Sequence, residues 1–289
     1  MPAWNSLPPA AEAGIAQLSL RDFRPLADYI TRELGIKMSE HKIPMLQGRL
    51  QRRIRALGLG SFEDYRKHLF ESGNAGQELA DFIDAVTTNK TEFLRERQHF
   101  DYLTETALPS LDPGPGQSWK FKIWCAGCST GEEAYTLAMV LSEFAEQRGN
   151  CDFSIFATDI SNRVLRTAQA AIYDEARIEP VPEAWRKKYL LRSRDAGKHC
   201  VRVDPRLRSR VHFSRLNFMD ADYGLHEQFD AVFFRNVMIY FDQTTQEAVV
   251  GRLCRQLHRD RYLFIGHSES LLELALPLQM VFSAVYRRT

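Results

Sequence analysis

Several short stretches carry the residue types from which a small-molecule site is built. One is Phe121-Lys-Ile-Trp-Cys-Ala-Gly-Cys-Ser-Thr-Gly-Glu-Glu-Ala-Tyr135, an apolar strand running into a turn of small side chains, from which Gly131 opens an amphipathic helix. Small residues at Ala126, Gly127, Ser129 and Gly131 let a ligand approach the backbone closely, and the first amides of the helix point outward. The chemistry this suggests is the binding of a nucleotide-like ligand. Another stretch is Ala157-Thr-Asp-Ile160, where Asp159 ends a strand. An acidic residue there accepts hydrogen bonds from both hydroxyls of a ribose, with a helix cap ahead of Asn162 as the plainer alternative. In Phe229-Asp-Ala-Val-Phe-Phe-Arg-Asn-Val-Met-Ile-Tyr-Phe241 a buried strand ends in Arg235 and Asn236, a position that suits contact with an anionic acceptor. Their bland readings are a surface cation and a turn former. In Thr87-Thr-Asn-Lys-Thr-Glu-Phe-Leu-Arg-Glu96, polar side chains crowd a connection between helices and are followed by Arg95. One helix cap accounts for one of Thr88, Asn89 and Thr91 but not for the cluster.

The motifs narrow the ligand. There is no GxGxxG dinucleotide fingerprint and no GxxxxGK[ST] phosphate loop. An adenosyl ligand without phosphates remains, of which S-adenosylmethionine is the common one. The [DN]-P-P-[YF] run of many nucleic-acid amine methylases is missing after the Phe229 strand. Cys125 and Cys128 form a CxxC whose plain reading is small residues lining a turn. A zinc site needs two further ligands, and no second CxxC or HxxxH is present. A redox pair is the other alternative.

The elements that must position these residues fall into two textures. From Leu20 to about Leu108 apolar residues recur at helical spacing, as in Leu46, Leu50, Ile54 and Leu57. Ser61 is placed to cap a helix over Phe62–Phe70, and further helices are predicted over Gln77–Val86 and Arg97–Leu108. Asp112-Pro-Gly-Pro-Gly-Gln117 reads as a linker. Beyond it strands (Lys120–Cys125, Phe153–Thr158, Phe229–Phe234, Arg261–Gly266) alternate with helices (Glu132–Gln147, Asn162–Ala171, Thr244–Leu257). That pattern predicts a parallel sheet covered by helices, with its ligand at the carboxyl ends of the strands. Gln279–Arg287 reads as a final strand, and short strands near Val201–Val203 and Arg210–Phe213 as a small β-excursion. The expected division is a loose tail over 1–16, a helical domain over 17–111, a linker over 112–117 and an α/β domain over 118–289, with the β-subdomain at about 190–215.

Composition sets bounds. The chain has 289 residues, 44% hydrophobic and 26% charged, with a net charge of +1, which gives no global push toward nucleic acid or membrane. No apolar run approaches the ~20 residues of a membrane span, and the N-terminus lacks the pattern of a secretory signal. Five cysteines, an odd number scattered through the chain, read as cytosolic thiols rather than a disulfide framework.

Taken together the segments resemble the CheR family, the chemotaxis receptor methyltransferases that use S-adenosylmethionine. The resemblance rests on Thr87-Thr-Asn-Lys-Thr-Glu-Phe93, Ser129-Thr-Gly-Glu-Glu-Ala-Tyr135, Ala157-Thr-Asp-Ile160, Arg235-Asn-Val-Met-Ile-Tyr-Phe241 and Gly266-His-Ser-Glu-Ser270. It covers nearly the whole chain beyond the tail. It implies an α/β fold, a Rossmann-like class I methyltransferase sheet, with an N-terminal all-helical domain and a small β-subdomain insertion. The implied cofactor is S-adenosyl-L-methionine, the product S-adenosyl-L-homocysteine, and no metal is implied. The implied reaction is methylation of glutamate side chains on the cytoplasmic helical bundle of chemoreceptors, in the cytoplasm at membrane-bound receptor arrays, without membrane insertion or nucleic acid.

By the same resemblance, a pocket shared by the two domains holds the cofactor through Asn89, Thr91, Arg95, Glu133, Asp159, Asn217, Phe218, Arg235 and Asn236. Asp159 takes the ribose, and Phe218 stands where the family has Leu. Arg95 and Tyr240 orient the methyl transfer; whether Glu132 shares the role of Glu133 is open. Arg49, Arg52, Arg53 and Arg55 lie on a helix implicated in receptor docking, against the bland reading of a solvated face. Some members bind a receptor C-terminal peptide tether at the β-subdomain. The loop Ser193–His199 is less glycine-rich than in those members, which leaves the tether open. The competing readings are a methyltransferase for RNA or a small molecule, and a non-catalytic module that binds S-adenosylmethionine.

Overall fold

A computed structural model describes residues 17–71, 75–114, 117–195 and 197–289. The tail expected over 1–16 lies outside the described residues, as do positions 115–116 of the linker. The chain packs as two compact units. One comprises the residues up to Tyr29 with Met38–Val86, the other Ile30–Lys37 with Thr87–Thr289.

The first unit contains the first part of α1 (Leu20–Leu34), then α2 (Ile43–Ala56), α3 (Phe62–Glu71) and α4 (Ala75–Val86). Leu46, Leu50 and Ile54 recur every fourth residue of α2 and are fully buried, the stripe expected of a helix with one face in a core. Ser61 caps α3 reciprocally: its Oγ accepts from the Asp64 amide at 3.1 Å and donates to the Asp64 carboxylate at 2.6 Å. The polar centre of the unit is Glu78 on α4. Its carboxylate accepts from the Tyr65 hydroxyl at 2.8 Å and from Arg53 Nε at 3.2 Å, and Arg53 also bonds Asp81 at 3.0 Å. A buried carboxylate is tolerated only when its charge and lone pairs are met in this way.

In the second unit, the helix expected over Arg97–Leu108 is divided. It runs as α5 (Gln98–Tyr102), a π-helical turn over Leu103–Ala107, and a 3-10 turn over Pro109–Leu111. The Thr104 hydroxyl bonds back to the Phe100 carbonyl at 3.1 Å, and the Leu108 amide reaches Leu103, five residues back. Such side-chain competition and i→i+5 bonding widen a helix locally.

Beyond it come β1 (Trp119–Ala126), α6 (Glu132–Arg148), β2 (Cys151–Asp159), α7 (Asn162–Ala170), β3 (Ile172–Asp174), α8 (Glu183–Tyr189), β4 (Leu190–Arg192), β5 (Cys200–Val203), α9 (Pro205–Arg208) and β6 (Val211–Arg215). The chain closes with β7 (Phe229–Phe234), α10 (Gln243–Gln256), β8 (Leu257–Ile265), β9 (Leu278–Phe282) and β10 (Val285–Arg288).

The large sheet has the order β6-β2-β1-β7-β8-β10-β9. The five strands from β6 to β8 are parallel, and β10 pairs antiparallel with β8 on one side and with β9 on the other. Side chains alternate across it. Ile123, Cys125, Phe233 and Phe264 face one hydrophobic core, while Trp124, Val232, Phe234 and Ile265 face the other. Two expectations are corrected here. The terminal segment is a hairpin rather than one strand, turning at Ala284 with φ +56°. The small sheet is β3-β5-β4 and begins at Ile172, whereas Val211–Arg215 pairs with β2 as an edge of the large sheet.

Parallel pairing brings the ends of β2, β1, β7 and β8 to one side. Asp159, the Gly127 turn, Arg235 and Gly266 therefore leave the sheet together. For the helical unit, Glu78→Ala is expected to lower stability by about 2 kcal/mol, through stranding the Tyr65 hydroxyl and leaving Arg53 with Asp81 alone. Urea unfolding followed by circular dichroism measures it, and an unchanged midpoint would remove Glu78 as the polar centre.

Candidate active site

The turn after β1 is held by the end of β2. The amides of Gly127 and Cys128 both donate to the Thr158 carbonyl at 2.8 Å. Asp159 then grips the turn with one oxygen, accepting from the Ser129 amide at 2.9 Å, and its own loop with the other, accepting from Ser161 at 3.0 Å. Gly127, Ser129 and Gly131 all have left-handed backbones, with φ of +86°, +50° and +96°. A Cβ on Gly127 would come within 2.6 Å of Val237, so this glycine serves close packing as well as its φ. The Ser129 hydroxyl donates to the Asn89 carbonyl at 3.0 Å and the Leu94 amide donates to Thr136 at 3.1 Å. These bonds fasten the Thr87–Glu96 segment, part of this unit, to the turn and to α6.

Arg235 is the electrostatic centre. Its guanidinium is buried, lies within 5.4 Å of the Phe100 ring centre, and donates to the Arg95 carbonyl. It donates to Glu96 Oε2 at 3.1 and 3.3 Å, and its Nη1 lies 2.9 Å from Glu133 Oε2. Two carboxylates of the chain thus already lie against the guanidinium. Burial raises the Glu133 carboxyl above its usual range, with Arg235 opposing the rise. Burial acts upward on Glu96 too, but Arg235 and the His267 amide outweigh it and hold that carboxyl low.

Asn236 follows with φ +60°, its amide donating to Glu269 at 2.8 Å and its side chain 3.5 Å from Glu96. Arg95 is half-buried; its guanidinium donates to the Lys90 carbonyl at 3.1 Å and forms no ion pair among the described residues.

Other expected residues have structural partners. The Asn217 side chain donates to the Glu33 carbonyl at 2.7 Å and accepts from the Met219 amide at 3.0 Å. Phe218 is buried against Phe234 and Trp124, and its carbonyl accepts from Arg252 at 2.8 Å. Tyr240 is half-buried beside exposed Ile239, and its carbonyl accepts from the Lys37 amide at 2.9 Å. The Asn89 amide donates to Thr87 at 3.3 Å; Thr91 is half-buried.

Glu132 is fully buried, accepts from Thr130 at 2.6 Å and pairs with Arg177 at 2.6 Å, partners different from those of Glu133. Cys125 and Cys128 are buried free thiols whose pKa burial pushes well up.

In the helical unit the four arginines divide. Arg53 is committed to Glu78 and Asp81, and Arg49 donates to the Val86 carbonyl, while Arg52 and Arg55 are exposed.

One buried cation between two carboxylates leaves a surplus of negative charge. Arg235 Nη1 lacks an aligned hydrogen-bond acceptor despite its proximity to Glu133. An amino-acid moiety supplies what both need, a carboxylate for the guanidinium and an ammonium for Glu133, so the residues present fit S-adenosylmethionine. The glycine turn, the acidic end of β2 and this charge set at the carboxyl edge of a mainly parallel sheet define an S-adenosylmethionine-dependent methyltransferase.

Comparison with known proteins gives the family. Residues 89–287 match the SAM binding domain of CheR methyltransferase, and residues 21–87 match its all-alpha domain. The "Chemotaxis protein methyltransferase" of Salmonella typhimurium is 35% identical over 98% of this chain and 97% of its own. That of Borreliella burgdorferi is 38% identical over 87% and 90%, and that of Escherichia coli 36% over 93% and 92%. The chain belongs to the CheR methyltransferase family. Among the described residues, no helix is long and apolar enough to cross a membrane.

Three side chains around Arg235 escaped the sequence reading: Glu96, His99 and Glu269. Glu96 directly follows Arg95, and Glu269 lies in the Gly266–Ser270 motif, so both sat inside recognised segments. His99 is completely buried, with its ring 4.6 Å from that of His267 and its Nδ1 3.5 Å from Glu96. Burial, aided by Arg235 and His267, lowers its pKa from 6.5 to about 4. Below about pH 6.5 the unfolded chain takes up a proton at this histidine that the folded chain refuses until about pH 4. Stability should therefore fall through that window, and more steeply than in His99→Phe. Urea midpoints at several pH values measure the difference; parallel profiles would show that His99 is not buried neutral.

Proposed function

We propose that this chain methylates glutamate side chains on the cytoplasmic helical bundle of chemoreceptors, giving glutamyl methyl esters, as a cytoplasmic enzyme recruited to membrane-bound receptor arrays. The observation that carries this reading is the division between two arginines. Arg235 is charge-paired with Glu96 and Glu133, whereas Arg95, adjacent in sequence to Glu96, has a carbonyl partner and no ion pair among the described residues. A second, less committed cation beside the charge cluster is what an anionic acceptor requires.

The acceptor's own chemistry agrees. A glutamate carboxyl, with an ordinary pKa of ~4.3, is ionised near neutrality and needs no general base. The demand on the protein is alignment. When bound, S-adenosylmethionine supplies an electrophilic methyl group on a sulfonium. In this reading Asn89, Thr91, Arg95, Glu133, Asp159, Asn217, Phe218, Arg235 and Asn236 hold it. Asp159 faces the ribose, and Asn217 and Phe218 contribute mainly through the backbone, since the Asn217 side chain is engaged. Arg95 and Tyr240 orient the incoming carboxylate.

Docking falls to Arg52 and Arg55, the exposed pair on α2, while Arg49 and Arg53 support the helix from within. For a receptor C-terminal tether, the favourable feature is the face of the small sheet. There exposed Ile172 and Leu191 border an open cavity of about 530 Å³ with Arg192, Arg194, Lys198 and Arg202 around it.

The test is transfer of labelled methyl to a receptor cytoplasmic fragment. Label released as methanol by mild alkali is the expected ester; alkali-stable label would place the acceptor on nitrogen or carbon and overturn the reading. Arg95→Ala is expected to lower turnover on the order of a hundredfold through misalignment, with its melting temperature unchanged. Full turnover by the folded variant would end the proposed role of Arg95. Reversing Arg52 and Arg55 to Glu should raise KM for the receptor about two- to tenfold, the range of exposed ion pairs, and leave S-adenosylhomocysteine affinity alone. Receptor kinetics that do not change would leave α2 as a solvated face.

A further inference from the structure

The turn that carries Arg235, Asn236 and Tyr240 is built on a carboxylate. Strands β7 and β8 run parallel with Phe234 opposite Ile265, so Arg235-Asn236 and Gly266-His267 leave the sheet side by side. Glu269 bridges the two exits. Its Oε2 accepts from the Asn236 amide at 2.8 Å and from the Gly266 amide at 2.7 Å, and its Oε1 accepts from the Ile239 amide at 3.3 Å. It forms no ion pair among the described residues. Its partners are backbone N–H groups, an arrangement that fixes main chain rather than neutralising a side chain.

Two details show how tightly the bridge is drawn. Asn236 sits at φ +60°, a region that asparagine tolerates better than most non-glycine residues but that still needs support from its surroundings. At Gly266 an added Cβ would lie 2.3 Å from Asn236 Nδ2 and 2.9 Å from Glu269 Oε2. Glycine is thus required for the two loops to approach. Burial raises the Glu269 carboxyl, while the amides of Gly266, Asn236, Ile239 and Met238 oppose the rise.

We propose that Glu269 is a positioning residue for methyl transfer: by gripping the amides of Asn236, Ile239 and Gly266, it holds the Arg235–Tyr240 turn in the shape that binds the cofactor. This rests on the reading above that Arg235 and Asn236 hold the cofactor and Tyr240 faces the acceptor. Glu269 acts through these residues.

The experiment compares Glu269→Gln with Asn236→Ala. Glutamine keeps the length but points an amide NH₂ at backbone donors. Its affinity for S-adenosylhomocysteine by calorimetry, and its KM for S-adenosylmethionine, are expected to weaken about ten- to hundredfold, as for loss of a charge-assisted hydrogen bond or two. The melting temperature should stay near that of the unmodified chain. A purely structural role would lower the melting temperature and the active fraction but leave affinity and KM of the folded protein unchanged, and that result overturns the proposal. If Glu269→Gln does not fold, Glu269→Asp, which retains the charge on a shorter arm, is read by the same two constants. Asn236→Ala separates the readings. Normal binding and turnover there mean that the site itself is misplaced, whereas a weakened Asn236→Ala beside a normal Glu269→Gln removes Glu269 alone.

Discussion

The site depends on one buried guanidinium. Arg235 lies at the end of a central strand, with Glu96 on one side, Glu133 on the other and the Phe100 ring over it. Removing such a charge from water is costly, and close pairing with opposite charge makes it tolerable. The pairing draws three distant pieces of chain to one point: the segment before α5, the first turn of α6 and the exit of β7. Once Arg235 is fixed, Glu96 also meets the His267 amide at 3.3 Å, so the exit of β8 joins the same arrangement. The sheet supplies the direction in which these loops leave, and the charges set how far apart they stand.

A second layer of main-chain anchoring surrounds this centre. Asp159 grips the turn after β1, and Glu269 grips the turn after β7, both by accepting backbone amides. Two carboxylates thus shape two loops through main-chain donors. The Ile30–Lys37 segment does comparable work through carbonyls and amides, meeting Asn217 and Tyr240. Asn217 illustrates the result: a residue expected at the cofactor by resemblance spends its side chain on holding the chain in place. A residue can be essential at such a site without its side chain touching the ligand.

What was legible in the sequence follows from how local each signal is. The glycine turn announced itself because small residues followed an apolar strand, and strand–helix alternation made the parallel sheet readable. Ser61 was readable as a cap because its partner, Asp64, is three residues away. The partners of Arg235 were not readable, since Glu96 and Glu133 are far from it in the chain and nothing at position 235 specifies which carboxylate arrives. The same holds for Arg49 and Arg53, which share a helix face with Arg52 and Arg55 but are met by groups on or after α4. The small sheet was placed too late in the chain because β3 is only three residues long, too short to show alternation. The π-helical turn was hidden because it depends on a threonine hydroxyl competing for a carbonyl.

The buried thiols have a consequence for the chemistry of the pocket. Cys125 Sγ lies 3.3 Å from Glu133, beside the charge cluster where a methyl donor is held in the proposed function. Sulfur is a better nucleophile than a carboxylate, but only as thiolate. Enclosure and the neighbouring Glu133 carboxylate both oppose ionisation of Cys125. The arrangement therefore disfavours the thiolate of Cys125, the form in which sulfur would compete for a methyl group.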